Sequence, residues 1–326
     1  MIIIRSPQRI SIGGGGTDLE SYYSRFGGQF ISAAIDKYIY VSIIKPFKDG
    51  IYLKYSENEK VSKIDDITHP IFREVLRKYE ISNSQIEITT LADIPSGTGL
   101  GSSGSFTTAL IKGLHSYRHL DISKHDLAEA ACEIEIDILN EPIGKQDQYI
   151  SSFGGIKEFE IETNGNVISK NLNISTETLS NLEENLLLFF TGYTRKASSI
   201  LDDQDRKTKE DNALMLEQMH SVKEMCSEIR LVLEDGNVEE FGNLLNKHWQ
   251  QKKKRSENMS NDKINQYYEI ALKHGAIGGK VVGAGGGGFL LFYAKDARTL
   301  RRKLTSLGLN ELRFRFDFEG TKQINL

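Results

Sequence analysis

The first sixty residues set apolar and polar positions in short alternating runs. Ile2–Arg5 and Arg9–Ile12 read as strands, and Gly13–Gly16 breaks the pattern after them. Gln29–Ile35 and Lys37–Lys45 continue the β-rich stretch. Asp49-Gly50 is a turn dipeptide and predicts a hairpin whose returning strand is Ile51–Tyr55. Pro70–Tyr79 predicts a helix. Ser84–Thr90 alternates Ile86 and Ile88 with polar residues, the pattern of a half-buried strand. Pro95–Gly104 is a turn rich in glycine and serine. After it Phe106, Leu110, Leu114 and Tyr117 recur at helical spacing. Ser123-Lys-His-Asp126 has the form of a capping box and opens a second helix, expected to bury Leu127, Ala131, Ile134 and Ile138 and to end at Asn140–Gly144. Asn164-Gly165, between Ile156–Ile161 and Val167–Ser169, is a strong hairpin signal.

The second half has a different texture. Leu186–Phe190 reads as a buried strand. Met215, Met219, Val222, Cys226, Ile229 and Leu233 then mark a long amphipathic helix; Val238, Phe241, Leu245 and His248 mark another; Ile264, Tyr268 and Ala271 a third. Lys280–Val282 and Phe289–Ala294 are strands flanking a glycine run, and Glu311–Phe316 reads as a last strand. No internal repeat is visible. The pattern predicts an α+β protein in two intimately joined halves, residues 1–180 and 181–326, with the boundary between about 170 and 190.

Length agrees, since 326 residues allow two domains at ~150 each. Forty-one lysines and arginines against 45 acidic residues leave a net charge of −4, so there is no basic footprint for nucleic acid. Apolar runs such as Leu186–Phe190 fall far short of the ~20 residues that span a bilayer. The N-terminal MIIIRSPQ has no signal-peptide core, and two lone cysteines, Cys132 and Cys226, fit a reducing compartment. These features predict a cytoplasmic protein with no membrane partner. Twenty-nine glycines against five prolines is the unusual number, and the glycines cluster.

The sharpest cluster is Ile94-Pro-Ser-Gly-Thr-Gly-Leu-Gly-Ser-Ser-Gly-Ser105, between a strand and an amphipathic helix. Glycines let the backbone approach an anion, and the first amides of the next helix point at it. It is neither a Walker A loop, since no Gly-Lys-Ser/Thr follows, nor the dinucleotide fingerprint, since its glycines run 97, 99 and 101. Ser103 is placed to hold a magnesium ion as hydroxyls do in other phosphate loops. Gly283-Ala-Gly-Gly-Gly-Gly288 has more glycine than a hairpin needs, which points to close backbone packing against something. Gly13–Gly16 before Thr17-Asp18 is by itself a flexible turn. Glu133, Glu135 and Asp137 read alone as helix charges, with Glu135 beside the buried face. Spacing alone does not select Asp147.

Three separated segments together resemble one superfamily of small-molecule kinases, named for galactokinase, homoserine kinase, mevalonate kinase and phosphomevalonate kinase. They are Pro7-Gln-Arg-Ile-Ser-Ile-Gly-Gly-Gly-Gly-Thr-Asp18, Pro95-Ser-Gly-Thr-Gly-Leu-Gly-Ser-Ser103 and Gly283–Gly288. Gly144-Lys-Gln-Asp-Gln-Tyr149, Thr191-Gly-Tyr-Thr-Arg195 and Gly275-Ala-Ile-Gly-Gly-Lys280 narrow the resemblance to a branch acting on a heptose 7-phosphate; fucokinase-like enzymes share several of them. Gln8 departs from the glycine usual in galactokinases, and glycines replace the acidic-histidine pair before Thr17-Asp18, which speaks against galactose as substrate.

The resemblance implies a two-domain fold: an N-terminal domain like part of a ribosomal protein and a ferredoxin-like C-terminal domain, with the active site between them. It implies ATP and Mg²⁺ as cofactors and a sugar phosphate as substrate; a homodimer is left open. Asp147 would be the base for the anomeric hydroxyl, with Arg9 beside it favouring the ionised carboxylate. Pro95, Gly97, Thr98, Gly99, Leu100, Gly101, Ser102 and Ser103 would hold the ATP phosphates, and Ser103 with Glu135 the magnesium. Gly15, Gly16, Thr17, Asp18, Gly285 and Gly286 would bind the sugar. For a second phosphate on the substrate, Arg195 and Lys196 are preferred, with Lys145 another candidate. Lys252-Lys-Lys-Arg255 reads as a solvated face at a helix C-terminus. The implied product, an anomeric phosphate, would feed nucleotide-activated heptose for lipopolysaccharide or capsule. No motif marks the adenine pocket; the Ile51–Tyr55 region is no more than a candidate.

Overall fold

The two short strands expected at the N-terminus are one. β1 (Ile2–Gly13) runs antiparallel to β2 (Gly28–Ile44), which likewise joins two expected strands. The apparent break is a register shift, Pro7 opposite Tyr38 but Gln8 opposite Ile35. Such a bulge bends a strand without ending it. Between β1 and β2 lies α1 (Glu20–Phe26). These are coordinates of a computed structural model, which describes residues 1–81, 85–193, 197–210, 212–254 and 259–324, without the side chains of 197–199.

The other edge of β1 decides where the site forms. The last strand of the chain, β12 (Lys322–Ile324), pairs with β1 only at Ile3–Arg5. Pro7 follows on the edge that β12 leaves open, where its missing N–H costs no ladder bond. Two residues further on the same edge, the Arg9 N–H donates to the Leu100 carbonyl at 2.9 Å. The glycine-rich loop is thereby tied to the strand that carries Arg9.

The predicted hairpin between β2 and Ile51–Tyr55 does not form. β3 (Gly50–Lys54) turns back instead on β4 (Asn58–Val61) and pairs in parallel with β5 (Gln85–Ala92), which lies between β3 and β2. A parallel pair needs a long crossover, and the chain through α2 (Pro70–Lys78) supplies it. Helices α3 (Ser102–Tyr117) and α5 (Gln146–Phe153) pack with β1 and β2, and α4 (Lys124–Cys132) packs on α3 and α5. The Asn164-Gly165 hairpin joins β6 (Ile156–Ile161) to β7 (Val167–Asn171), and β6 takes over from β5 as the partner of β2 at Gly28–Ala33.

The Ser123 hydroxyl caps α4 by accepting from the Asp126 N–H. The helix does not continue regularly to Ile138. Residues Glu133–Ile138 form a π-helical turn. Its wider turn shifts the phase of the apolar stripe, so Ile138 is 40% exposed where burial was expected, and Glu135 is rotated inward to 1%.

The second half supplies α6 (Thr176–Asn185), β8 (Leu186–Phe190), α7 (Ala197–Lys209), α8 (Ala213–Glu234), α9 (Val238–Lys253), α10 (Asp262–Lys273), β9 (Ala276–Val281), β10 (Phe289–Ala294), α11 (Ala297–Ser306) and β11 (Asn310–Leu312). Its sheet runs β11-β8-β10-β9. The last expected strand is shorter than Glu311–Phe316: Phe316 has already crossed to bridge Ile35 in the first sheet. The six apolar positions read along α8 are all buried. They meet the first sheet, since one apolar cluster contains Ile10, Ile12 and Ile31 together with Cys226, Ile229, Leu245 and Leu291. The two halves share a core, and the cleft between them is set by that packing. Among the described residues no helix is long and apolar enough to cross a membrane.

Candidate active site

A cleft of about 810 Å³ opens where the two halves meet, a volume suited to a nucleotide or a small-molecule pair. Its N-terminal wall is built around the glycine-rich loop. Gly97, Gly99 and Gly101 hold positive φ angles of 78°, 85° and 78°. Gly101 caps α3, so the free amides of a sixteen-residue helix point at the cleft. Pro95, Gly97, Gly99, Gly101, Ser102 and Ser103 line it. Thr98 and Leu100 do not. Leu100 is wholly buried in the shared core, and Thr98 donates to the Pro95 carbonyl at 3.0 Å, so these two hold the loop's shape.

Arg9 reaches across to Asp147 on the first turn of α5. Its Nε donates to Asp147 Oδ1 at 2.7 Å, and its Nη2 lies 2.6 Å from the same oxygen. Nη1 donates to the Gly99 carbonyl at 2.5 Å, so one guanidinium ties the acid to the phosphate loop. The arginine side chain is 7% exposed and the aspartate 27%, which leaves the carboxylate open to the cleft.

Asp18 lies beside this pair. Its carboxylate accepts from the Gly16 N–H at 2.9 Å and from the Gln146 N–H at 3.1 Å. Burial pushes its pKa up, while these two amides pull it back. The contact requires Gly144, since a Cβ there would stand 2.0 Å from Asp18 Oδ2. Gly15, Gly16 and Asp18 line the cleft, but Thr17 does not. Thr17 is fully buried, and its hydroxyl donates to the carbonyls of Gly14 at 2.9 Å and Gln29 at 2.7 Å.

Glu135 enters from the π-helical turn. It accepts from the Ser103 hydroxyl and from Gln148 Nε2 at 3.0 Å. Burial raises its pKa to about 7; the hydrogen bonds from Ser103, Gln148 and Thr107 oppose this, and the nearby Asp147 charge adds to it. A buried carboxylate stabilised by neutral donors suits a cation. Among the described residues no group of three or more His, Cys, Asp and Glu could hold a metal alone. The pair Ser103 and Glu135 fits the magnesium pattern, in which one or two protein ligands are completed by substrate phosphates.

The C-terminal wall carries the second glycine run. It packs backbone to backbone on the phosphate loop: a Cβ at Gly283 would lie 2.7 Å from the Gly99 carbonyl oxygen, and one at Gly99 2.8 Å from that of Val282. This is the close approach that the excess of glycine implied. Gly285 lines the cleft, whereas Gly286 gives its N–H to the Met259 carbonyl at 2.8 Å and lies outside the lining.

Lys252 does not sit on a solvated face. It is 8% exposed, donates to the carbonyls of Gly283 and Val281, and lines the cleft. His248 and Lys280 line it too, and sequence reasoning missed all three as site residues. The signals were a lysine in the short strand that leads into a glycine run and a His/Lys pair four apart on the buried stripe of a helix. Lys145 points elsewhere, to Glu129 at 3.1 Å and the Gly165 carbonyl at 2.9 Å. Arg195 and Lys196 lie outside the described residues. Tyr55, His69, Ile71 and Phe106 add an aromatic and apolar part to the lining.

An anion cradle and an arginine-held aspartate in one interdomain cleft, with a cation-fitting carboxylate bonded to Ser103 behind its lining, define a phosphotransferase acting on a small molecule. The comparisons agree. Residues 67–155 match the GHMP kinases N terminal domain and residues 213–309 the GHMP kinases C terminal domain. A D-glycero-alpha-D-manno-heptose 7-phosphate kinase of Campylobacter jejuni is 31% identical over 98% of this chain and 96% of its own length. The chain therefore belongs to the GHMP kinases. An L-fucokinase/L-fucose-1-P guanylyltransferase of Bacteroides fragilis is 26% identical over 91% of this chain, which spans 35% of that longer protein. The crystal structure of a D-glycero-D-manno-heptose 1-phosphate kinase from Bacteroides thetaiotaomicron superposes with a TM-score of 0.82 at 25% identity, covering 100% of this chain and 99% of that one.

Proposed function

We propose that this kinase transfers the γ-phosphoryl group of ATP to the anomeric hydroxyl of D-glycero-D-manno-heptose 7-phosphate in the cytoplasm, giving the 1,7-bisphosphate for nucleotide-activated heptose synthesis. The observation that carries the reading is the Arg9–Asp147–Gly99 link, which sets a carboxylate beside the phosphate cradle. Its sugar half draws support from the likeness to the Campylobacter jejuni enzyme. Asp147 accepts the proton of the anomeric hydroxyl. The hydroxyl oxygen forms a bond to the γ-phosphorus, the bond from that phosphorus to the β,γ-bridging oxygen breaks, and ADP leaves. Arg9 orients Asp147 and neutralises charge on the transferred group. Asp18, fixed by two backbone amides, holds a sugar hydroxyl. Ser103 and Glu135 would hold Mg²⁺, which supplies charge neutralisation at the β- and γ-phosphates.

The test is ADP release with ATP, Mg²⁺ and heptose 7-phosphate, set against heptose 1-phosphate, L-fucose and galactose, with ³¹P NMR of the product. A new anomeric phosphate formed from heptose 7-phosphate is the expected result. The second reading, a free-sugar kinase for L-fucose, is favoured by the likeness to the Bacteroides fragilis enzyme, and turnover of L-fucose in place of the sugar phosphate would establish it.

A further inference from the structure

We infer that Lys280, Lys252 and His248 form the pocket for the phosphate already carried by the sugar. This rests on the heptose 7-phosphate reading and goes beyond it, because it names which cations read that phosphate. Lys280, on β9, is 2% exposed and donates from Nζ to the Ile12 carbonyl at 2.8 Å. His248 Nδ1 lies 3.3 Å from the same Nζ. Lys252 follows His248 by four residues on α9, so both point the same way. All three line the cleft.

Lys280 is tied to the sugar end of the cleft, and Lys252 to the Gly283 carbonyl, where the glycine run meets the phosphate loop. Ile12, whose carbonyl holds Lys280, leads directly into Gly13–Gly16 and Asp18. Arg9 and Ile12 are three residues apart on one strand, about 10 Å at the strand rise. A phosphate bound at Lys280 is thus displaced from the group being transferred, as the far end of a seven-carbon chain requires. Lysine is rarely buried to this degree, and two in one cleft wall form a dianion site of the point-charge kind.

The experiment compares kcat/KM for heptose 7-phosphate and for the same heptose without phosphate, in the wild type, Lys280→Met and Lys252→Met. The wild type is expected to favour the phosphorylated sugar strongly. Each lysine substitution should narrow that preference by about 10- to 100-fold, as loss of a charged hydrogen bond does, with the KM for ATP within about twofold in Lys280→Met. Melting curves check that each variant folds, and Lys252→Met decides alone if Lys280→Met does not. A preference kept at the wild-type value, or an equal loss on both sugars, overturns the assignment. A wild type that makes no distinction between the two sugars has a different signature: it removes the 7-phosphate reading itself, and the pocket with it.

Discussion

The two walls of the cleft are made differently. The N-terminal wall is a set of side-chain pairs closed within one half of the chain: Arg9 with Asp147, Ser103 with Glu135, Asp18 with the amides of Gly16 and Gln146. The C-terminal wall is mostly backbone, a glycine run pressed on the phosphate loop, with lysine tails emerging around it. The first wall is arranged before substrate arrives. The second contributes by closeness across the joint. Chemistry and substrate selection should therefore separate under mutation, and the largest effects should fall on the first wall.

Asp147→Asn keeps the shape and removes the proton acceptor. We expect kcat to fall by about 10³-fold or more, within the range of a lost general base, while ATP binding stays within about threefold. Steady-state kinetics with a nucleotide titration measures both. A kcat within tenfold of wild type would take the base role away from Asp147 and leave the wall's function to positioning.

Glu135→Gln probes the same wall through pH. The folded pKa of about 7 lies above the usual 4.5, so the folded state holds this proton more tightly than the unfolded one. The stabilising contribution is complete below pH 4.5 and lost as pH rises to about 7. By linkage the loss is on the order of 3 kcal/mol in the metal-free protein. The Gln variant should thus melt several degrees above wild type at pH 8 without metal, yet lose about 10²-fold in kcat/KM with Mg²⁺ and ATP. In the wild type, the Mg²⁺ concentration needed for half-maximal rate should climb as pH drops below about 7. An activity indifferent to pH across this window, or a Gln variant less stable than wild type, would place the metal elsewhere.

The same contrast separates what could be read in the chain from what could not. The phosphate loop was legible because its anion chemistry lies in consecutive residues, and α8 because its apolar stripe repeats locally. Glu135, read on a regular helix, lay only beside the buried face; the π-helical turn that rotates it inward has no simple residue signature. The β2–β3 hairpin failed because β5, thirty residues away, outcompetes a local turn. Lys252 was misplaced because a basic run at a helix end resembles a solvated face, and only the fold of β9 against α9 turns its first member inward. Thr17, Thr98, Leu100 and Gly286 stand in the right motifs but face away from the cleft: a motif identifies a loop, not which of its side chains looks outward.

Gly283→Ala tests the joint itself. Its φ of 76° strains any Cβ, and the Gly99 carbonyl oxygen is 2.7 Å from where that atom would be. Either the two loops part or the substitution is absorbed at about 1–2 kcal/mol of strain. Because the phosphate loop must move, we expect KM to rise for both ATP and sugar and kcat/KM to drop about tenfold, at roughly one kcal/mol per factor of five. A rise confined to the sugar would mean that the glycine run serves the substrate alone and that the walls are independent.

Thr17→Val is the smallest and most discriminating change. The residue belongs to the Thr17-Asp18 motif, yet its hydroxyl is spent on the Gly14 and Gln29 carbonyls and on the Gln29 N–H, 3.0 Å away. Valine keeps the volume and leaves these buried groups short of a partner, at a cost of about 1–3 kcal/mol in unfolding free energy. The glycine turn would loosen, but Asp18 keeps its own amide donors from Gly16 and Gln146. The sugar KM should therefore change by less than about threefold, far below the loss from a direct ligand. Chemical denaturation and sugar KM together decide the matter: a stable variant with a sugar KM raised tenfold would put the hydroxyl on the substrate, and would mean that this wall rearranges when the sugar binds.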